Sequence, residues 1–229
     1  ELYGIYQAKN SIVREDKCFL VEGYMDVIGM WQSGLQNVVA SSGTALTDGQ
    51  IAMIHRFTSN VTLIYDGDNA GIHAALRGID MLLSHRLNVK VLLLPDGHDP
   101  DSFAKAHTPD EFRQYIADNE TDIIRFKTKV LLNASGNDPQ QRSAAIHSIV
   151  ESLACIPDNI ARNVYIGECA RLLGVEESVI AVETRRARAK AVNNASRTRT
   201  YTAIDATDNT TPSDTQQTQP AAQTAQAAQ

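Results

Sequence analysis

Residues 60–71 read NVTLIYDGDNAG, an apolar run from Asn60 to Tyr65 that stops at Asp66-Gly67-Asp68 and passes into a helical pattern. Six residues rich in β-branched side chains and closed by a Gly/Asp/Asn cluster read as a buried strand rather than a helix. Working outward, the same arrangement recurs twice. KCFLV (17–21) runs into Glu22-Gly23, and NVKVLLLP (88–95) runs into a loop bearing Asp99 and Asp101. In a parallel α/β sheet, ligands collect at the carboxyl ends of strands. Three ends tipped with acids would bring five or six carboxylates into one crevice. Their repulsion is unfavourable unless a hard divalent cation sits among them or some of them hold protons. Oxygen donors with no nearby cysteine favour Mg²⁺ or Mn²⁺ over Zn²⁺, and such a site suits phosphoryl chemistry.

The rest of the chain sets the bounds. Its 229 residues are 43% hydrophobic and 21% charged, ordinary for a globular protein. No apolar run approaches the ~20 residues of a membrane span. The start, ELYGIYQAKN, shows neither a signal peptide nor a transit pattern. It lacks Met, which leads us to expect a piece of a longer protein. Cys18, Cys155 and Cys169 form no CxxC pair, so neither a disulfide framework nor a zinc site is expected, and a reducing cytoplasm fits. Residues 1–119 carry 9 Lys/Arg against 15 Asp/Glu, whereas residues 120–190 carry 10 against 9. The excess negative charge therefore lies with the acidic clusters. A basic stripe for gripping nucleic acid unaided is missing.

Strand and helix patterns alternate through the first hundred residues. Strands are expected at 18–22, 37–41, 60–65 and 88–94. Helices are expected over about 24–33, 47–57, where Thr47 and Gln50 form a capping box, and 70–86. Such alternation argues for an α/β fold with a mostly parallel sheet flanked by helices. Beyond Pro100 the pattern becomes helical. Thr108, Pro109 and Glu111 open one helix, and others are expected over 120–133, 138–155, 158–173 and 176–190, broken at SGNDP, Pro157 and Gly174. This gives a division into residues 1–15, a linker from a preceding subdomain; 16–100, the α/β unit; 101–190, a small helical subdomain; and 191–229. That last stretch of Thr, Gln, Ala and Asn cannot bury enough apolar area to offset chain entropy and is expected to be a disordered linker.

The acids also admit simpler readings. DGDNAG matches a calcium-binding EF-hand loop at its first, third and sixth positions but has Ala70 at the fifth and Arg77 at the twelfth. No Walker loop occurs. DGD alone would pass for a turn that caps the next helix. Three strand ends bearing the same kind of group favour a shared site. Asp26, four residues after Glu22, either faces the crevice or complements a helix N-terminus. Pro100 restricts Asp99 to an extended backbone, which implies a non-helical placement for Asp99 and Asp101. His98 reads as loop chemistry, and Met25, Met30 and Trp31 as core. Arg77, Lys90 and Lys105 are solvated or phosphate-contacting, and the basic run Arg185–Lys190 is a charged helix end.

Taken together, VEGYMDV, then DGDNAG, then DPD resembles the Toprim domain. The fuller wording of LYGIYQAK, LVEGYMDVI, NVVASSGTALT, YDGDNAG and LLLPDGHDPDSF resembles the bacterial DnaG-type primases from about Leu2 to Tyr115, and more weakly to about residue 190. Ser42 stands where that family usually has Leu. The resemblance implies a Toprim-like sheet and a metal-dependent RNA polymerase that makes short primers on single-stranded DNA from ribonucleoside triphosphates, beside the replicative helicase. It implies Glu22, Asp66 and Asp68 as catalytic residues and metal ligands, with Asp26, Asp99 and Asp101 holding further Mg²⁺ or Mn²⁺. Nucleotide contact falls to Gly23, Asp26, Gly67, Asp99 and Asp101. Such primases also carry a zinc module, a basic subdomain and a helicase-contacting carboxyl-terminal domain. These are expected outside this chain, which alone should synthesise little primer. A Toprim nuclease or topoisomerase part is the alternative within the same chemistry, and a non-catalytic module binding a replication partner is the alternative outside it.

Overall fold

The computed structural model describes residues 2–41, 46–76, 78–95 and 97–207, with side chains as far as Asn193. Five strands, β1 (Cys18–Val21), β2 (Val38–Ala40), β3 (Asn60–Tyr65), β4 (Asn88–Leu93) and β5 (Thr121–Asp122), form one sheet in the order β2-β1-β3-β4-β5. The first four are parallel and β5 is antiparallel to β4. The helices are α1 (Ile5–Glu15), α2 (Tyr24–Gln32), α3 (Asp48–His55), α4 (Asn69–Leu76), α5 (Ile79–Ser84), α6 (Pro100–Ala106), α7 (Pro109–Asn119), α8 (Ile123–Ser135), α9 (Pro139–Cys155), α10 (Asn159–Leu173) and α11 (Glu177–Thr207). The mixed, mostly parallel sheet with helices on both faces is the class that the alternating pattern implied.

Strand periodicity sorts the core into two layers. Cys18 and Leu20 join Val61, Leu63, Val89 and Val91 on one face, under α1, α3, α5 and the helices from α8 onward. Phe19 and Val21 join Val38, Ile64 and Leu92 on the other face, under α2, α6 and α7 through Val27, Met30, Phe103, Phe112 and Ile116. Val61, Leu63 and Ile64 are at most 1% exposed, as a central strand covered on both sides requires. Residues 1–189 form one compact unit, so the later helices share the sheet's core.

The structure departs from the sequence expectation in several places. Residues 5–15, expected as a linker, form α1, which buries Ala8, Ser11 and Ile12, and Tyr3 bridges to Ala40 beside β2. The single helix expected over 70–86 is two, because Gly78 takes φ 76°, a left-handed value that ends α4 and caps α5. Residues 191–207, expected to be disordered, continue α11. No Gly or Pro interrupts the sequence between Gly174 and Pro212, so nothing local stops the helix even without an apolar stripe. Arg185–Lys190 thus lies inside α11 rather than at its end. Met25 is 50% exposed and not core, while Met30 is buried. Ser42, Arg77 and the 208–229 part of the tail lie outside the described residues.

Candidate metal centre

The order β2-β1-β3-β4 reverses between β1 and β3. After β1 the chain crosses to β2 on one side, and then returns to lay β3 on the other. At such a switch point, the connections leaving adjacent strands diverge and open a crevice at the carboxyl ends. Glu22 follows β1 and Asp66 follows β3, so the two flank that crevice. Asp99 follows β4, one strand further.

Each acid is held by local chemistry. Asp26 sits in the first turn of α2, where its carboxylate accepts from the Gly23 N–H at 3.0 Å. The Asp68 side chain accepts from the Gly71 N–H at 2.7 Å and so starts α4. Asp99 is the N-cap of α6, extended as Pro100 demands, and accepts from the Ser102 N–H at 2.7 Å. Asp101 corrects the expectation of a non-helical placement. It lies in the first turn of α6, 2.6 Å from Lys105, and packs on Gly29 of α2, where a Cβ would stand 2.1 Å from its Oδ1. The run Asp99-Pro-Asp-Ser carried the signal: a cap residue, Pro at the first helical position and a polar residue at the third.

Electrostatics marks Asp66 as the centre. Burial pushes its carboxyl above the usual range, and repulsion from Asp99, Asp26, Asp68 and Glu22 pushes in the same direction. Burial likewise raises Asp26, against the hydrogen bonds it takes from the Gly23 and Asp101 amides. Asp99 is lowered, chiefly by the Ser102 amide and hydroxyl. Asp66 therefore feels the charges of Glu22, Asp26, Asp68 and Asp99, whereas Asp101 is committed to Lys105 and the α2–α6 contact. The loop is pressed into place by two glycines. A Cβ on Gly67 would lie 2.0 Å from the Leu94 carbonyl oxygen, and one on Gly71 2.1 Å from that of Asp66.

These residues suit a hard divalent cation. All donors are carboxylate oxygens, and no Lys, Arg or His pairs with Asp66 among the described residues. No three acidic, His or Cys side chains form a ready-made cage among the described residues. Asp26, Asp68 and Asp99 each commit an oxygen to a helix start. A cavity of about 410 Å³ lies at the amino ends of β1, β3 and β4, lined by Lys17, Asn60, Lys90 and Tyr165. It is on the far edge of the sheet from the acids, and its lysines are spent on Glu120. Among the residues that sequence reasoning left out, Gly29 and Ser102 position Asp101 and Asp99.

A family model described as Toprim-like matches residues 19–104, and one described as the DnaB-helicase binding domain of primase matches residues 125–178. The chain is 34% identical over 170 residues to a DNA primase of Halalkalibacterium halodurans, covering 74% of this chain and 28% of that protein. It superposes on a DNA primase domain from Pseudomonas aeruginosa with a TM-score of 0.72 at 30% identity, covering 81% of this chain and 59% of that one. It is also similar to a DnaG primase catalytic domain bound to ssDNA, with a TM-score of 0.67 at 28% identity over 75% and 56% of the two chains. The chain spans between 28% and 30% of the length of the curated primases it matches.

Proposed function

The chain belongs to the bacterial DnaG-type DNA primases, and from that premise we propose that it carries the metal-dependent catalytic part of an enzyme that builds short RNA primers on single-stranded DNA. The observation that supports this is the position of Glu22 and Asp66 at the carboxyl ends of the adjacent strands β1 and β3, with the charges of Asp26, Asp68 and Asp99 acting on Asp66. The single-stranded DNA in one similar structure supports the template as a partner. Ribonucleoside triphosphates are the substrates, the RNA primer is the product, and the bacterial cytoplasm is the place of action. Among the described residues no helix is long and apolar enough to cross a membrane.

Glu22, Asp66 and Asp68 would hold Mg²⁺ or Mn²⁺, with Asp26 and Asp99 at the margin of the site. These residues would hold an ion whose positive charge would offset that of the triphosphate and the charge developing at the α-phosphate. The chain's own residues do the rest. Asp26, Asp68 and Asp99 are each anchored by a helix-start hydrogen bond to one backbone amide, which leaves carboxylate lone pairs for the ion. Gly23 and Gly67 hold the acids in place, Gly23 by donating its N–H to Asp26 and Gly67 by packing against the Leu94 carbonyl, and nucleotide contact is proposed beside them. Asp101 acts as a positioning residue, clamping α6 to α2 through Gly29. The match of α8–α10 to a helicase-binding domain supports contact with a DnaB-type helicase through these helices, in addition to the contact expected beyond residue 229.

The test is Mn²⁺ titration of this chain, followed by electron paramagnetic resonance, together with primer synthesis by a primase of the relatives' full length bearing the same substitutions. Asp66→Asn and Glu22→Gln should each weaken Mn²⁺ binding by about tenfold or more and reduce primer synthesis by at least ~10²-fold. Undiminished synthesis by both variants would sink the catalytic assignment.

A further inference from the structure

Resting on the primase reading of the acidic site, we propose that Tyr3 and Tyr24 form an aromatic corner on which the base of the metal-bound ribonucleoside triphosphate stacks. Their rings are in contact, with centroids 6.0 Å apart and planes at 61°. The two residues are 42% and 57% exposed. An edge-on pair, unlike a stacked one, leaves each ring with a face its neighbour does not cover, and a planar base laid on one ring meets the other. Topology puts the pair at the same end of the sheet as the acids. Tyr24 opens α2 two residues past Glu22, which follows β1. Tyr3 exchanges both backbone hydrogen bonds with Ala40, the last residue of β2 and the register partner of Val21 at the end of β1. The order along the carboxyl edge is therefore Tyr3 beside β2, Tyr24 and Glu22 after β1, and Asp66 after β3. Two strand spacings, about 10 Å, separate the β2 end from the β3 end. A nucleotide whose phosphates meet the acids can thus lay its base over the rings. The core does not need these side chains. α2 buries Val27, Gly29 and Met30 instead, and the Tyr3 segment is anchored by its backbone bonds and by Leu2, 4% exposed. Exposed rings beside a phosphate-handling site suit a base, since every base has a π-face. Charge decides which base. Residues 1–119 carry 9 Lys/Arg against 15 Asp/Glu, which repels the phosphates of a template strand, whereas a metal-bound triphosphate brings its own counter-charge.

The experiment is calorimetric titration of this 229-residue chain with ATP, with inorganic tripolyphosphate and with oligothymidylate, each in the presence of Mn²⁺. Compared are the unsubstituted chain, Tyr3→Ala, Tyr24→Ala, Tyr24→Phe, and Tyr6→Ala on α1, 75% exposed with Lys9 over its ring, as a control. The proposal expects ATP affinity to fall about tenfold in Tyr3→Ala and in Tyr24→Ala, and to persist in Tyr24→Phe and Tyr6→Ala. Tripolyphosphate, which has no base, should bind every variant as it binds the parent, and that parental binding also reports that each variant is folded. Parental ATP affinity in both alanine variants overturns the corner and leaves the metal centre intact. Equal losses for ATP and tripolyphosphate would mean that the rings only support the acids, and a loss confined to oligothymidylate would assign them to the template. Either result overturns the proposal. No ATP binding by the unsubstituted chain removes both the corner and the nucleotide site on which it rests.

Discussion

The Asp66 loop is shaped by two missing methyl groups as much as by its acids. Gly67 lies against the Leu94 carbonyl and Gly71 against that of Asp66, at separations no Cβ tolerates. In both cases the obstructing atom is backbone, which cannot swing aside, so an added methyl must push β4 or the start of α4. Gly67→Ala and Gly71→Ala should each lose about 1–3 kcal/mol in urea denaturation. Gly49→Ala in α3, where nothing lies within 4 Å, should be neutral or gain up to ~1 kcal/mol. Equal stability of all three variants would refute the packing account. The acids themselves were legible in the sequence because each terminates an apolar run, and a strand end is where a side chain reaches a crevice. The division of labour among them was not. Asp101 and Asp99 are separated by one proline, yet Lys105 and Gly29 claim the former while Ser102 claims the latter. Those partners become apparent only when helices pack.

Elements were legible where periodicity or a cap announced them. The boxes at Thr47/Gln50 and Thr108/Glu111 form as expected, each with reciprocal hydrogen bonds. What escaped was β5, since two residues carry no period, and the site that anchors it. Glu120, its side chain 8% exposed, is met at 2.7 Å by Lys17 before β1 and by Lys90 on β4, and accepts from the Thr62 hydroxyl on β3. One carboxylate thus ties three strands at their amino ends and directs the chain into the antiparallel β5. Burial opposes its charge, but the Lys17 and Lys90 hydrogen bonds prevail and hold it below the usual glutamate range. A carboxyl lowered on folding contributes stability that is full above its unfolded pKa, near ~4.3, and is lost as pH falls through the folded value. Glu120→Gln should therefore cost about 1–2 kcal/mol at pH 7, and the gap from the parent should close below pH ~4. A gap of the same size in denaturation at both pH values would refute the charge-based account.

At the scale of the whole molecule, the helices from α8 onward are joined to the sheet by an inserted charge as well as by apolar core. Lys127 of α8, only 7% exposed, donates to the Ser152 hydroxyl of α9 at 2.6 Å, and Ser152 in turn donates to Asp80 of α5. Burial pulls the Lys127 ammonium below the usual lysine range, partly offset by the nearby Asp80 and Glu151 carboxylates. The sequence pointed to a small helical subdomain because the alternating pattern turns helical beyond Pro100. A lysine on the buried side of α8 gave no hint that Ser152 would link it to Asp80, 47 residues upstream on α5. The same chain of groups predicts an asymmetry. Ser152→Ala removes the hydroxyl that accepts from the ammonium and leaves a buried charge short of a hydrogen-bond partner, which costs about 2–4 kcal/mol. Lys127→Met keeps the volume and deletes the charge, so it should cost less than ~1 kcal/mol or stabilise. In the double variant the serine substitution then falls on a seam that no longer holds a charge, and its penalty should shrink by about 1–3 kcal/mol. A double-mutant cycle in guanidinium denaturation measures that coupling directly. A coupling near zero would mean that Lys127 reaches water on its own, and that α8 and α9 are held to α5 by apolar contact alone.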